Sequence, residues 1–326
     1  MVVGRRWLLK QHFSGLPRQG DFELVEEELP SLQENQFLFC SRYISVDPYQ
    51  RPYSASMRPP VTMPGSCLAT VQQSRSPDFP VGSDIILYAG WVERGVASPA
   101  VCGVLGPPQV APQLTNINQS HLLGACGMPG NTAYFGFLEI CKPRPGETVV
   151  VSGAAGAVGS LVGQIAKIKG CKVIGYAGTD QKCDWLRSLG FDFAFNYKKC
   201  KVAETLQTAA PGGVDCYFDN VGGEISTAVM GAMAPGGRVA VCGGISSYNG
   251  GGKKRSQPVS QDIKVTGFVV SQWLDRWEEG ITAMADWINS GKIQARETVV
   301  EGFENTPQAF MGLFTGMNTG KMIVKI

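Results

Sequence analysis

The chain has 326 residues, of which 44% are hydrophobic and 17% are charged, and its formal net charge at pH 7 is +2. This composition is typical of a globular protein large enough for two domains. The nearly balanced charge argues against a nucleic-acid or acidic-membrane partner, since the densest basic run is Lys253-Lys254-Arg255. We therefore expect a small-molecule partner. We interpret this basic run as a solvated loop, with long-range steering of an anionic ligand as the alternative.

The compartment is indicated by the amino terminus and the cysteines. The first apolar run, Trp7 to Leu9, is too short for the core of a signal peptide. The ten cysteines are scattered and include no C-x-x-C pair, as is typical of reduced thiols. We expect a cytoplasmic protein.

The first third of the chain alternates short β-like runs with Gly and Pro, which predicts a mostly β domain over residues 1–124. The predicted strands are Phe37 to Ser45, Cys67 to Val71 and Asp84 to Val92. A helix from Asn131 to Cys141 then leads, through a proline-containing linker, into a second domain over 125–298.

The second domain begins with a glycine-rich turn. Thr148 to Val151 favours a strand, Gly153, Gly156 and Gly159 follow, and the next apolar residues have helical spacing. Glycines between a strand and a helix let phosphates approach the helix amino terminus. The spacing differs from the G-x-G-x-x-G fingerprint, so the motif alone also fits a buried turn without ligand.

Strand and helix patterns alternate beyond this turn, which predicts a parallel, doubly wound sheet with helices on both faces. The tail, residues 299–326, breaks this pattern, and we expect it to rejoin the first domain. The further predicted strands are Val173 to Tyr176, Phe193 to Asn196, Val214 to Asp219, Arg238 to Cys242 and Ile263 to Val270.

The end of the second strand indicates which dinucleotide binds. NAD sites place a carboxylate there, whereas this chain has Gly178 and Thr179, followed by Lys182. We predict NADPH, with Lys182 near its 2′-phosphate, although a solvated lysine on a helix explains Lys182 equally well. Asp180 is interpreted as an N-cap that points at its own helix.

No metal site is predicted. Only His12 and His121 are available as imidazole ligands, and no cysteine spacing resembles a zinc cluster. We interpret both histidines as ordinary polar residues rather than general bases.

Several longer runs resemble the zinc-free branch of the medium-chain dehydrogenases/reductases, and within it the prostaglandin reductase family. The resemblance covers essentially the whole chain. It implies a GroES-like substrate domain, an inserted Rossmann domain, NADPH and a cytosolic homodimer. The matching runs include Val46-Asp47-Pro48-Tyr49, Gly127-Met128-Pro129-Gly130, Phe195-Asn196-Tyr197-Lys198, Cys216-Tyr217-Phe218-Asp219 and Cys242-Gly243-Gly244-Ile245.

The resemblance also implies the cofactor-binding residues. They comprise the glycine turn, the 2′-phosphate end and the nicotinamide side, namely Ala155, Gly156, Val158, Gly159, Lys182, Tyr197, Asn220, Cys242, Gly243, Gly244, Ile245, Ser246, Ser247, Tyr248, Phe268, Val269, Val270 and Asn318. Packing at a strand end, a turn and a loop cap are the structural alternatives for Tyr197, Asn220 and Asn318.

Two departures concern the substrate. Ser271-Gln272-Trp273 replaces the family's Tyr-Arg-Trp, and the loop from Gly250 to Gln261 is shorter and more basic than the family's proline-rich loop. Substrate preference is therefore not carried over.

The implied reaction is hydride transfer to the β-carbon of an enal or enone, such as a 2-alkenal or a 15-oxo-prostaglandin-like lipid. Without zinc, hydrogen-bond donors have to stabilise the enolate. The candidate residues are Tyr248, which either orients the nicotinamide ribose hydroxyl or donates to the enolate, and Tyr49 as a second donor. The structural alternative is that either ring only lines the pocket. Alternatives are an NADP-dependent allylic alcohol dehydrogenase, a quinone reductase and a non-catalytic NADPH-binding protein.

Overall fold

The computed structural model describes residues 2–101, 103, 105–250 and 262–326. The basic run Lys253-Lys254-Arg255 and almost all of the loop that departs from the family lie outside the described residues. The chain divides into two compact units. The first unit contains Met1–Gly124, Thr298–Asn318 and Met322–Ile326, and the second contains Ala125–Glu297 and Thr319–Lys321.

The strands, in chain order, are β1 Val3–Leu9, β2 Phe22–Glu28, β3 Phe37–Val46, β4 Val61–Thr62, β5 Cys67–Ser74, β6 Asp84–Leu87, β7 Arg94–Ala97, β8 Gln109–Val110, β9 Thr148–Val151, β10 Lys172–Ala177, β11 Phe193–Asn196, β12 Val214–Asp219, β13 Met233–Val241, β14 Lys264–Gly267, β15 Glu297–Glu301 and β16 Lys321–Lys325. The α-helices are α1 Gln50–Ser54, α2 Met128–Phe135, α3 Ala157–Ile168, α4 Asp180–Ser188, α5 Val202–Ala209, α6 Gly223–Met230, α7 Trp277–Asn289 and α8 Thr306–Thr315. None of the helices in the described part of the chain is long and apolar enough to cross a membrane.

The first unit is mostly β, as predicted. Its larger sheet has the order β15-β16-β3-β5-β6-β8, with β7 also paired to β3, and its smaller sheet has the order β2-β1-β4. β16 runs antiparallel to β3, with Met322 opposite Val46. The predicted strand beginning at Asp84 ends at Leu87, before Gly90 turns the chain with φ +85°.

The second unit contains a six-stranded parallel sheet with the order β11-β10-β9-β12-β13-β14. This is the doubly wound order, in which strands are added in one direction from β9 to β11 and in the opposite direction from β12 to β14. The three valines of β9 are fully buried, as expected for a central strand. The predicted parallel sheet is therefore confirmed, and its switch point lies between β9 and β12.

The predicted helix before this sheet begins at Met128 rather than Asn131, and it changes from α to π geometry at Gly136. Its final carbonyl, that of Cys141, accepts a hydrogen bond from Arg238 Nε at 2.8 Å, and Arg238 also pairs with Glu147 at 2.6 Å. Burial alone would raise the pKa of Glu147, but the hydrogen bonds from Arg238 and the Arg144 amide outweigh it and lower that pKa. Arg238 thus ties the end of this helix to the sheet.

Candidate functional site

The glycine turn lies at the carboxyl end of β9, next to the switch point. Gly153 has φ +58°, and Gly156 is the N-cap of α3 without a side-chain hydrogen bond to its first turn. Because Gly156 caps α3 without a side chain, the amino terminus of this helix suits an anionic ligand. Ala155 is buried, and its carbonyl accepts from the Gly320 N–H at 2.8 Å.

The third glycine of the motif, Gly159, packs directly against the turn. A Cβ at Gly159 would lie 2.4 Å from the Gly153 carbonyl oxygen and 2.8 Å from Ala154 Cα. The helix therefore packs so closely on the turn that only glycine fits at this position. A Cβ at Gly156 would lie 3.2 Å from the Gly153 oxygen, so this glycine keeps the turn open to backbone approach. These glycines form a cradle that fits a dinucleotide pyrophosphate.

A buried carboxylate joins β9 to β12 at the switch point. Asp219 is 0% exposed, and its Oδ1 accepts from Ser152 Oγ at 2.9 Å and from the backbone N–H groups of Val221 and Gly222. Asn220 donates from its side chain to the Ser152 carbonyl at 2.7 Å. These bonds hold the turn that contains Asn220 beside the glycine turn, within the second unit.

The loop after β13 lies against this same turn. The N–H groups of Cys242 and Gly243 donate to the Asp219 carbonyl, and that of Ile245 donates to the Asn220 carbonyl. Ser246 Oγ donates to the Val221 carbonyl at 2.6 Å, and Ser247 Oγ to the Gly244 carbonyl at 2.8 Å. The structure therefore brings Asn220 together with the predicted loop residues.

Tyr248 ends this loop, and its side chain folds back over it. Its hydroxyl oxygen accepts from the Gly244 N–H at 3.3 Å, and a Cβ at Gly243 would lie 3.1 Å from that oxygen. Gly243 thus leaves room for the phenol. The hydroxyl is consequently placed at the carboxyl edge of the sheet, beside the loop that follows β13.

The predicted residues after β14 have mixed environments. The predicted strand from Ile263 to Val270 is wrong at its end, because β14 ends at Gly267 and Phe268, Val269 and Val270 lie beyond it. The Phe268 ring packs on Phe218 at a centroid distance of 6.0 Å and against Gly136. Val269 is 53% exposed.

The second strand, β10, leads to the predicted 2′-phosphate end. Thr179 is the N-cap of α4 and accepts from the Lys182 N–H at 3.3 Å, so the prediction that Asp180 is the N-cap is wrong. Asp180 is the first helical residue, and its carboxylate binds Lys199 and Asn196 instead. A Cβ at Gly178 would lie 3.2 Å from the Tyr197 hydroxyl, so Tyr197 closes over the strand end.

Tyr49 lies in the first unit, at the start of α1. Burial raises its pKa well above the usual value, and the nearby Asp47 carboxylate and the Tyr88 side chain add to that shift. The phenol therefore stays protonated and can act as a hydrogen-bond donor. Asn318, also predicted as a site residue, belongs to the first unit as well.

Metal ligands do not converge in the part of the chain that the structure describes, where no group of three or more His, Cys, Asp or Glu side chains is placed to hold an ion. His12 is exposed, and His121 lies in a short 3-10 helix. Nine described cysteines are free thiols.

Four residues beside the candidate site residues were not identified from the sequence, namely Ser152, Asp219, Tyr88 and Lys199. Asp219 and Ser152 are 67 residues apart. Tyr88, which follows β6, lies near Tyr49 at the start of α1. Lys199 pairs with Asp180, which is 19 residues away in the chain. Only the apolar strand that ends in Asp219 gave a local signal, because a carboxylate that directly follows buried residues needs hydrogen-bond donors.

Comparisons with known proteins agree with this architecture. A family model described as "N-terminal domain of oxidoreductase" matches residues 5–103, and one described as "Zinc-binding dehydrogenase" matches residues 157–287. Prostaglandin reductase 1 of Mus musculus is 46% identical, with all of both chains covered. The NADP(+)-dependent 2-alkenal reductase of Nicotiana tabacum is 36% identical over 100% of this chain and 98% of its own.

A solved structure has the same fold. CurA from Vibrio vulnificus in complex with NADPH superimposes with a TM-score of 0.90 at 36% identity, covering 98% of each chain.

Proposed function

We propose that this chain, which belongs to the prostaglandin reductase family of the medium-chain dehydrogenases/reductases, catalyses NADPH-dependent reduction of the α,β-double bond of enals and enones. The observation that carries the proposal is the glycine cradle at the switch point of a doubly wound sheet. It occurs in a chain 46% identical, over its full length, to Prostaglandin reductase 1 of Mus musculus. The substrates we propose are 2-alkenals and 15-oxo-prostaglandin-like lipids.

The second unit holds the cofactor in this proposal. Ala155, Gly156, Val158 and Gly159 contact the pyrophosphate, because these residues form the turn and the first turn of α3. Lys182 and Tyr197 bind the 2′-phosphate. Bound NADPH supplies the hydride that adds to the β-carbon of the substrate.

The nicotinamide side is formed by the two turns that Asp219 holds together. Asn220 and the loop from Cys242 to Tyr248 are hydrogen-bonded to each other, so they present one continuous surface to the cofactor. Phe268, Val269, Val270 and Asn318 complete the set we assign to this role.

The proposed catalytic groups are phenols, because a neutral hydroxyl can donate to an oxygen that becomes negative. Tyr248 orients the nicotinamide ribose or donates to the enolate, and Tyr49 is the second donor. Burial and the nearby Asp47 carboxylate raise the pKa of Tyr49, so its hydroxyl keeps its proton even in alkaline solution.

The first unit binds the substrate in this proposal, and the active form is a cytoplasmic homodimer. The free thiols support the compartment. In the described part of the sheet, β14 is the edge strand, and Val269 and Leu274 are exposed just beyond it. An exposed edge with apolar residues supports self-association.

An isotope-labelling experiment tests the proposed reaction. NADPH carrying deuterium at the transferable position is incubated with an enone, and the product is identified by NMR. The proposal predicts a saturated ketone with deuterium at the β-carbon. Deuterium at the carbonyl carbon of an allylic alcohol, or no product, would contradict it.

A further inference from the structure

The carboxylate of Asp180 is held on the first turn of α4 by two residues from the end of β11. Asn196 Nδ2 donates to Asp180 Oδ1 at 2.8 Å, and Lys199 forms an ion pair with Oδ2. The same end of β11 is itself fixed, since Asn196 Oδ1 accepts from the Lys198 N–H at 3.1 Å and its carbonyl from the Lys199 N–H at 2.9 Å. Asp180 is therefore clamped by a well-defined turn.

The Asp180 carboxylate lies near the end of the second strand, β10, where cofactor preference is determined. An acid just beyond the second strand is the feature that selects NAD, because it binds the ribose hydroxyls and repels a 2′-phosphate. Asp180 follows the strand end by only three residues, and it precedes Lys182 by two. Its charge would oppose a phosphate bound near Lys182 unless another group neutralises it.

Two lysines flank this turn in the chain: Lys182 lies in the first turn of α4, and Lys198 directly follows Tyr197. Burial, and then the like charge of Lys198, lower the pKa of Lys182. Tyr197, between Lys198 and the strand end, places its hydroxyl beside Gly178. A phosphate dianion would relieve the repulsion between Lys182 and Lys198.

We propose that Lys199 is a positioning residue that determines cofactor specificity: with Asn196 it holds and neutralises the Asp180 carboxylate, which allows the adjoining site at Lys182 and Tyr197 to accept a 2′-phosphate. The proposal rests on the proposed use of NADPH. It assigns to Lys199 an indirect role, because its ammonium group is engaged by Asp180 and does not contact the phosphate.

The test measures binding of NADPH and of NADH by fluorescence titration, without substrate, at low salt. Lys199→Ala should weaken NADPH binding about tenfold, because the released carboxylate repels the 2′-phosphate, and should leave NADH binding nearly unchanged. Adding Asp180→Asn to this variant should restore NADPH binding, since the opposing charge is then gone. The Lys199→Ala effect should also shrink at high salt.

Lys201→Ala is the matched control. Lys201 lies two residues further on and pairs with Glu204 at 2.9 Å, so its removal makes the same charge change beside a different acid. The proposal predicts no change in cofactor preference for this variant. An equal effect of Lys201→Ala would indicate general surface charge and would overturn the proposal.

A merely structural role for Lys199 gives a different pattern. It predicts weaker binding of both cofactors, a lower melting temperature and no rescue by Asp180→Asn, and this result would overturn the proposal. Failure of the unmodified protein to prefer NADPH would instead refute the proposed use of NADPH. If the unmodified protein prefers NADPH and Lys199→Ala keeps that preference, only the proposed role of Lys199 is refuted.

Discussion

The Tyr248 hydroxyl oxygen accepts a hydrogen bond from the Gly244 N–H at 3.3 Å. This bond uses a lone pair of the oxygen and not its hydrogen, so it fixes the phenol while preserving its ability to donate. Tyr248→Phe should therefore lower kcat/KM for an enone by roughly ten- to a thousandfold, the range for loss of one polar or acid-base group. Steady-state kinetics with NADPH and an enone measure the effect.

The matched control is Tyr134→Phe, which removes a phenol hydroxyl of the same unit that donates to Glu279 at 3.1 Å. It should leave kcat/KM unchanged. Normal kinetics in Tyr248→Phe with cofactor affinity intact would remove Tyr248 from the mechanism.

Lys182 should distinguish the two cofactors. Burial and the neighbouring Lys198 charge lower its pKa. Lys182→Ala should raise KM for NADPH much more than KM for NADH, because only NADPH has a 2′-phosphate. Equal increases for both cofactors would refute the assignment.

Gly159 should be intolerant of any side chain. The alanine methyl would lie 2.4 Å from the Gly153 carbonyl oxygen, so α3 or the turn must shift. Gly159→Ala should cost about 1–3 kcal/mol of unfolding free energy, as overpacking does, and should weaken NADPH binding. Urea denaturation and titration measure both effects.

Gly212→Ala is the control for this substitution, since nothing lies within 4 Å of the added methyl group. It should change neither stability nor NADPH affinity appreciably. Full NADPH affinity in Gly159→Ala would show that the close packing of α3 on the turn does not shape the site.

Stability should fall under alkaline conditions. Burial raises the pKa of Cys67 and Cys242 to about 12 and that of Cys171 to about 11, against an ordinary value of 9.0. Burial likewise raises the pKa of Tyr176 from 10.0 to about 12. Since the folded state holds these protons more tightly, their contribution is complete below pH 9 and is lost as pH rises towards 12.

Urea unfolding at a series of pH values from 7.5 to 11 checks this dependence. The unfolding free energy should decline above pH 9, and Cys171→Ala should decline less steeply than the unmodified chain. A constant free energy across this range would contradict the raised pKa values.

Much of the sheet could be predicted from local sequence, because buried strands such as Thr148–Val151 are short apolar runs bounded by turn residues. The start of β13 was missed. Pro235 and the two glycines after it resemble a turn, yet Met233 pairs with Val214 before a register shift. Such pairing depends on a neighbouring strand and has no local signature.

Family resemblance predicted most of the candidate cofactor residues. It did not predict the residues that hold them in place. Lys199 and Asp180 are 19 residues apart, and their contact exists only because β10 and β11 are neighbours. The same holds for Ser152 and Asp219, which meet where β9 pairs with β12. Single-sequence reasoning identifies chemical groups, and the sheet decides which of them meet.

The most direct test is the rate of NADPH oxidation with a 2-alkenal, an enone lipid and a quinone, alongside NADP⁺ reduction with an allylic alcohol. Double-bond reduction predicts that the alkenal and the enone have the highest kcat/KM values and yield saturated carbonyl products. A higher kcat/KM for the quinone or the allylic alcohol, or tight NADPH binding without turnover of any of them, would contradict it.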